Sequence, residues 1–216
     1  MFAATITLAA CTDAGDGSLS FPESVEPTGG PLDEYWNDQG VLVAHGVGGM
    51  REGGTATLGF RSFANPSGDD FVITEIEVEE AYGLEVIDIV TASPDRRREG
   101  GRVDGGIGAS RGFPPAMLRD VWKYVGPLDG ATIDGLGREV NERLDLWDPM
   151  IGVRLTAKYG AAKNIIVHYR WRSTDHVARL PWLFFLEDGD GGRFDAPEMS
   201  EMVNTPIKEW PVWGDL

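Results

Sequence analysis

From Val41 onward, apolar and polar side chains alternate with a period of two, the repeat of a strand with one face in a core and the other in water. Ala56, Leu58 and Phe60 share one parity within Thr55–Phe60. The turn-forming run Asn65-Pro66-Ser67-Gly68-Asp69-Asp70 then leads into Phe71–Glu79, where Ile76 and Val78 alternate with Glu75, Glu77 and Glu79. The spacing predicts that these two strands form a hairpin. Leu84–Val90 reads as a further strand whose phase changes near Val86, as a bulge would produce. Ile151, Val153, Leu155 and Ala157 alternate with Arg154, Thr156 and Lys158; Ile165, Val167, Tyr169 and Trp171 alternate with Ile166, His168, Arg170 and Arg172. Both runs predict half-buried strands. The Arg172-Ser173-Thr174-Asp175 turn feeds Val177–Leu186, whose Leu180, Trp182, Phe184 and Leu186 share a face, which makes Trp171 and Trp182 core residues.

Two stretches break this pattern. Ser93–Gly112 is a Gly-rich loop carrying Arg96, Arg97, Arg98, Arg102 and Arg111. Pro115–Tyr124 fits either one short helix, with Pro in the first turn and Met117, Leu118, Val121 and Trp122 at helical spacing, or an irregular approach to a strand at Val121–Val125. There is no internal repeat, and the helices that a βαβ alternation needs are missing. About seven short strands over roughly 150 residues predict an all-β chain, an antiparallel β-sandwich of immunoglobulin-like type over residues 41–190, with a long Gly/Arg-rich loop and at most one short helix.

The flanks differ from this body. Residues 1–11, MFAATITLAAC, join a short apolar run to small residues and end at the one cysteine of the chain. Leu8-Ala9-Ala10-Cys11 resembles the bacterial lipobox, in which small residues admit a signal peptidase and the cysteine thiol is acylated with diacylglycerol. The run is too short to span a bilayer and carries no Lys or Arg before Cys11, so the expected signal is a truncated one. Residues 12–40 hold seven acidic and no basic residues, with several Pro and Gly, and predict a flexible acidic tether of roughly 30 Å root-mean-square span. Residues 191–216 read as an acidic C-terminal extension.

Charge and cysteine count narrow the function classes. A net charge of -16 and a pI near 4.5 exclude nucleic-acid binding that works by neutralising phosphates. A single Cys excludes an internal disulfide framework and any zinc site needing several thiolates.

The candidate chemistry is sparse. Gly108-Ala109-Ser110-Arg111-Gly112 matches G-x-S-x-G, with His45-Gly46-Val47-Gly48-Gly49 as a faint oxyanion loop, but neither flank supplies the strand and helix of a nucleophile elbow. A small serine hydrolase built on Ser110 is therefore a remote alternative. Asp188-Gly189-Asp190-Gly191-Gly192 departs from a calcium loop, with Arg193 and Met199 where Gly and Glu belong, and reads as a polar turn. His45, His168 and His176 have no second ligand at metal spacing, Met50, Met199 and Met202 group with no histidine, and neither metal nor cofactor is expected. Trp36, Trp210 and Trp213 lie in the polar flanks, where an exposed indole could stack on a sugar, which gives a carbohydrate-binding module as the alternative function. Burial of Trp210 and Trp213 by a folded-back C-terminus is the structural alternative.

Arg154, Lys158, His168, Arg170 and Arg172 project from the polar side of two late strands, and Glu75, Glu77 and Glu79 from that of an early one. Were these strands neighbours, the charges would form cross-strand pairs; in opposite sheets they would leave a basic face for an anionic envelope polymer or protein partner. The candidate binding set is thus Arg170, Arg172, Arg154, His168, Trp210 and Trp213, with Cys11 as the lipidation site.

The arrangement resembles a group of secreted actinobacterial lipoproteins in which a lipobox and polar tether precede an immunoglobulin-like domain. Leu8–Cys11, Phe63-Ala64-Asn65-Pro66, Tyr82-Gly83-Leu84-Glu85-Val86, Ile151–Leu155 and Val167-His168-Tyr169 carry the resemblance, and fifteen Arg against four Lys suit a high-GC genome. It implies a non-enzymatic, lipid-anchored interaction or structural protein on the extracytoplasmic face of the cell membrane, and it supplies no catalytic residue.

Overall fold

The structure is a computed structural model that describes residues 27–38, 43–47, 50–95, 109–141, 144–187 and 205–209. Among the described residues ten strands form two layers. In chain order the elements are α1 (Pro31–Asp38), β1 (Val43–Val47), β2 (Thr55–Gly59), β3 (Phe71–Tyr82), β4 (Leu84–Ala92), β5 (Ala109–Arg111), a 3-10 helix (Ala116–Tyr124), β6 (Val125–Pro127), β7 (Thr132–Ile133), β8 (Asp148–Leu155), β9 (Tyr159–Trp171), β10 (Thr174–Glu187) and a 3-10 turn (Ile207–Glu209). One sheet, A, has the order β1-β10-β9-β3-β7; the other, B, has β5-β2-β8-β4-β6. The expected all-β sandwich is thus the architecture. Its pairings are antiparallel except at one edge, where β1 runs parallel to β10.

The core is made by the alternation that the sequence displays. Ile73, Ile165, Val167, Tyr169, Leu180, Trp182 and Phe184 of sheet A face Ala56, Leu58, Val86, Ile89, Ile151, Val153 and Leu155 of sheet B. Trp182 stacks on Phe184 at 5.5 Å and meets Phe60 edge-on at 6.4 Å, which fixes the spacing of the two layers around its large ring. The β9–β10 hairpin turns through Arg172 and Ser173, both left-handed with φ of 50° and 62°, the two-residue turn whose twist matches antiparallel strands. The phase change near Val86 is a bulge, with the β4–β8 register slipping between Val86 and Asp88.

The expected β2–β3 hairpin is not formed. β2 lies in sheet B and β3 in sheet A, and residues 60–70 cross between the layers, held by a bridge from Phe63 to Trp147 and by Asn65, whose Nδ2 donates to the carbonyls of Asp69 and Ile133. The alternation fixed each strand's inward face without fixing its partner.

β8 and β9 are also more deeply covered than half-buried strands. Over sheet B, the segment from Phe113 into the Ala116–Tyr124 helix lays Phe113, Leu118 and Trp122 on Val90, Ala92 and Met150, a second apolar layer outside the sandwich. Of the two readings of Pro115–Tyr124 the helix is observed, in 3-10 form, with the strand confined to Val125–Pro127. Gly152 of β8 makes room for this layer: a Cβ there would lie 2.5 Å from the Phe113 ring. Gly152→Ala is therefore expected to lift Phe113 off the sheet and lower stability by about 1–3 kcal/mol, read from chemical denaturation.

The expected tether of residues 12–40 is corrected in its last third. Residues 31–38 form α1, whose Leu32 and Trp36 are buried in the main core, Trp36 edge-on to Phe63 at 6.0 Å. Pro31 suits the first helical position, and Asp33 and Glu34 suit the positive end of the helix dipole. The one α-helix of the described residues thus sits in the segment read as flexible. Residues 12–26 lie outside the described residues. The C-terminal extension also contributes, since Ile207 is buried and its turn packs on β3 and β9.

Candidate functional site

The basic face does not exist as read. β3 and β9 are neighbours in sheet A, and Glu75 stands opposite His168. Glu77 approaches the His168 ring at 3.5 Å, Arg170 Nε donates to Asp175 at 2.9 Å, and Arg172 Nε donates to Asp69 at 2.6 Å while its guanidinium lies 4.3 Å from the Trp171 ring centre. Arg154 belongs to the other sheet, where it pairs with Glu85 at 2.5 Å. Such exposed pairs are each worth a few tenths of a kcal/mol up to about 1. The charges are sorted into cross-strand and turn pairs because antiparallel register brings them together, and the anionic-polymer docking surface is withdrawn.

Ser110 lies within edge strand β5, opposite Thr57, rather than at a strand-to-helix elbow; its hydroxyl is buried and has no hydrogen-bond partner among the described residues. Trp36 is buried, which removes it from the exposed tryptophans. Cys11, Trp210, Trp213, Asp188–Gly192, Met199 and Met202 lie outside the described residues, as does the side chain of His45. Among the described residues there is no group of three or more His, Cys, Asp or Glu able to hold a metal ion, and no helix is long and apolar enough to cross a membrane.

Two clusters that the alternation did not reveal hold the unusual polar chemistry. The first is a clasp on the N-terminal segment. Thr28 N–H donates to the Val177 carbonyl at 3.0 Å, Val177 N–H donates to Thr28 Oγ1 at 2.8 Å, and His176 Nδ1 donates to the Gly29 carbonyl at 2.6 Å. His176 stacks on Tyr169 at 5.3 Å and tilts against Trp171 at 5.7 Å. The Tyr169 hydroxyl fits under Gly30, where a Cβ would come within 2.3 Å of it. Burial pushes that hydroxyl up to about 12, against the pull of the Leu32 amide and with a further push from Asp33. The first-turn amides face the phenol oxygen without meeting full hydrogen-bond geometry.

Asp33 is itself buried, and its carboxyl is held above 3.8 by desolvation and then by the neighbouring Glu34. A carboxyl raised on folding stabilises the folded state below its ordinary value and loses that contribution as pH rises through the folded value. Asp33→Asn should therefore raise the unfolding temperature at neutral pH and flatten its rise toward acid, measured as melting temperature against pH.

The second cluster lies on the outer face of sheet A, at a kink. Pro181 has no N–H to give to a ladder, and the β9–β10 register slips between Leu180 and Leu183. Asn164 of β9, on the other side of that slip, takes φ of 56° and is wholly buried. Around it, Glu79 Oε2 accepts from Asn164 Nδ2 and from Arg179 Nη2 at 2.8 Å and Nε at 3.2 Å. One step along, Glu80 and Lys163 face each other in register as a nearly buried ion pair at 2.9 Å. Lys163 Nζ also donates to the Thr205 carbonyl at 3.0 Å, and Glu80 Oε1 accepts from the Ile207 amide at 2.8 Å. Glu79 Oε1 and Asn164 Oδ1 are buried acceptors with no partner among the described residues. A bulge, a strained backbone and a buried polar network together mark this as the candidate site of the chain. A proline inside an otherwise clean strand pattern was the one signal in the sequence that pointed here.

No protein family, curated protein or solved structure matches this chain.

Proposed function

We propose that the protein is a lipid-anchored interaction or structural protein on the extracytoplasmic face of a cell membrane, built on an immunoglobulin-like domain. The observation that carries the domain reading is strand order. With β2, β3, β4, β8, β9 and β10 taken as strands B, C, D, E, F and G, sheet A reads G-F-C and sheet B reads B-E-D, an order that supports the immunoglobulin-like reading. β1 beside the last strand and the short β5, β6 and β7 are additions at the edges. The anchor reading rests on Leu8-Ala9-Ala10-Cys11. Binding rather than turnover is supported by Ser110, whose hydroxyl has no hydrogen-bond partner among the described residues, and by His168 and His176, which are engaged in pairing and stacking. A domain of this kind works by its faces and loops, with acyl chains holding it at the membrane.

The test is metabolic labelling with a radioactive fatty acid in a bacterial host that processes lipoproteins. Label is expected on the wild-type chain and absent from Cys11→Ala, which should move from the membrane to the soluble fraction. An unlabelled wild type, or a Cys11→Ala variant that stays with membranes, overturns the anchor.

A further inference from the structure

The Glu80–Lys163 pair is a reader of main chain. Both of its members also reach one short segment, Lys163 through the carbonyl of Thr205 and Glu80 through the amide of Ile207, two residues apart. Pro206 between them has no N–H to satisfy and a fixed φ, so the segment arrives preshaped. Of Thr205, Pro206 and Ile207, Ile207 is the side chain that is swallowed, at 1% exposed, whereas the other two remain partly exposed. Main-chain contacts that tolerate sequence, plus one apolar pocket that does not, are how extended peptides are recognised on sheet surfaces.

We propose that the outer face of sheet A around Glu80 and Lys163 is a docking groove for a short proline–aliphatic peptide of a partner protein, filled in cis by the chain's own Thr205–Ile207. The inference deepens the interaction-protein reading and takes its biological sense from it, but peptide binding is measurable whether or not Cys11 carries lipid. Two observations favour exchange over permanent packing. The described part of the resident segment is a single 3-10 turn with no stability of its own. Beside it, Glu79 Oε1 and Asn164 Oδ1 have no donor among the described residues, so a ligand aiming an amide or ammonium side chain at them gains an interaction that the described resident residues do not make. The resident belongs to the same chain, so any ligand competes with an intramolecular contact. Only a tighter ligand, or a weakened resident, opens the groove.

The experiment uses the full chain and a fluorescein-labelled peptide of its own residues 204–210, Asn-Thr-Pro-Ile-Lys-Glu-Trp. Fluorescence anisotropy should show the peptide binding the full-length Ile207→Ala variant about tenfold or more tightly than wild type, with amide NMR shifts centred on β3 and β9 around Glu80 and Lys163. The same peptide with Asp in place of its Ile should not bind. Absence of binding to a folded Ile207→Ala variant, binding that ignores the Asp replacement, or shifts centred elsewhere overturns the proposal. Hydrogen exchange on the wild-type chain gives an independent reading if Ile207→Ala fails to fold. The Ile207 amide should exchange about a hundredfold faster than that of Val167 in β9, through local opening of the segment. Equal protection would make the segment a permanent part of the fold and end the idea.

Discussion

Trp36→Ala is expected to lower the unfolding free energy by about 3–5 kcal/mol, because it empties a pocket that no other side chain of α1 can fill. Trp36 is 4% exposed, and its edge contact with Phe63 ties the helix to the segment crossing between the sheets. For a chain of this size the loss corresponds to a fall of roughly 6–20 °C in melting temperature. A helix merely resting on the surface would give a change within about 0.5 kcal/mol, as would a true tether. Leu32→Ala should behave similarly, whereas an alanine at exposed Glu34 on the same helix should not. Calorimetry on the three variants separates an integral helix from an accessory one.

Lys163→Met should be of the same order, about 3–5 kcal/mol, for a different reason. The Lys163 and Glu80 side chains are 11% and 17% exposed, so removing the ammonium leaves a carboxylate in a nearly dry place without its cationic partner. Replacing both residues together, by Met at 163 and Leu at 80, should recover most of the loss, because the uncompensated charge is gone. Denaturant melts of the two single variants and the double variant form the cycle that isolates the pair. A double variant as unstable as the worse single would show that the pair's main-chain contacts to residues 205–207, rather than its charge balance, hold this face.

What could be read from sequence alone divides along the range of the interaction. The β9–β10 turn was legible because two adjacent residues decide it, and the bulge in β4 because one phase slip betrays it. The β2–β3 pairing was misread because alternation gives a strand's inward face and says nothing of which sheet that face belongs to; residues 60–70 carry turn signals whether they form a hairpin or cross between layers. α1 was hidden by its brevity and its acidic composition. Leu32, Tyr35 and Trp36 are too short a pattern to stand out, and the helix owes its stability to Tyr169 and β10, far along the chain. The ion pairs at Glu79, Glu80, Lys163 and Arg179 depend on register, which follows only once β3, β9 and β10 are neighbours. Of the opposing Glu and Arg/His rows, His168 does face Glu75 and approaches Glu77, whereas Arg154 lies in the other sheet and Arg170 and Arg172 pair with Asp175 and Asp69.

The clasp on Thr28 has a consequence in time as well as in energy. Its partner, Val177, stands 149 positions later, so the two meet by closing a long loop, whereas β9 and β10 meet across a two-residue turn. Contacts so distant along the chain slow folding, and Leu32 and Trp36 are expected to gain their full cover after the β9–β10 hairpin has formed.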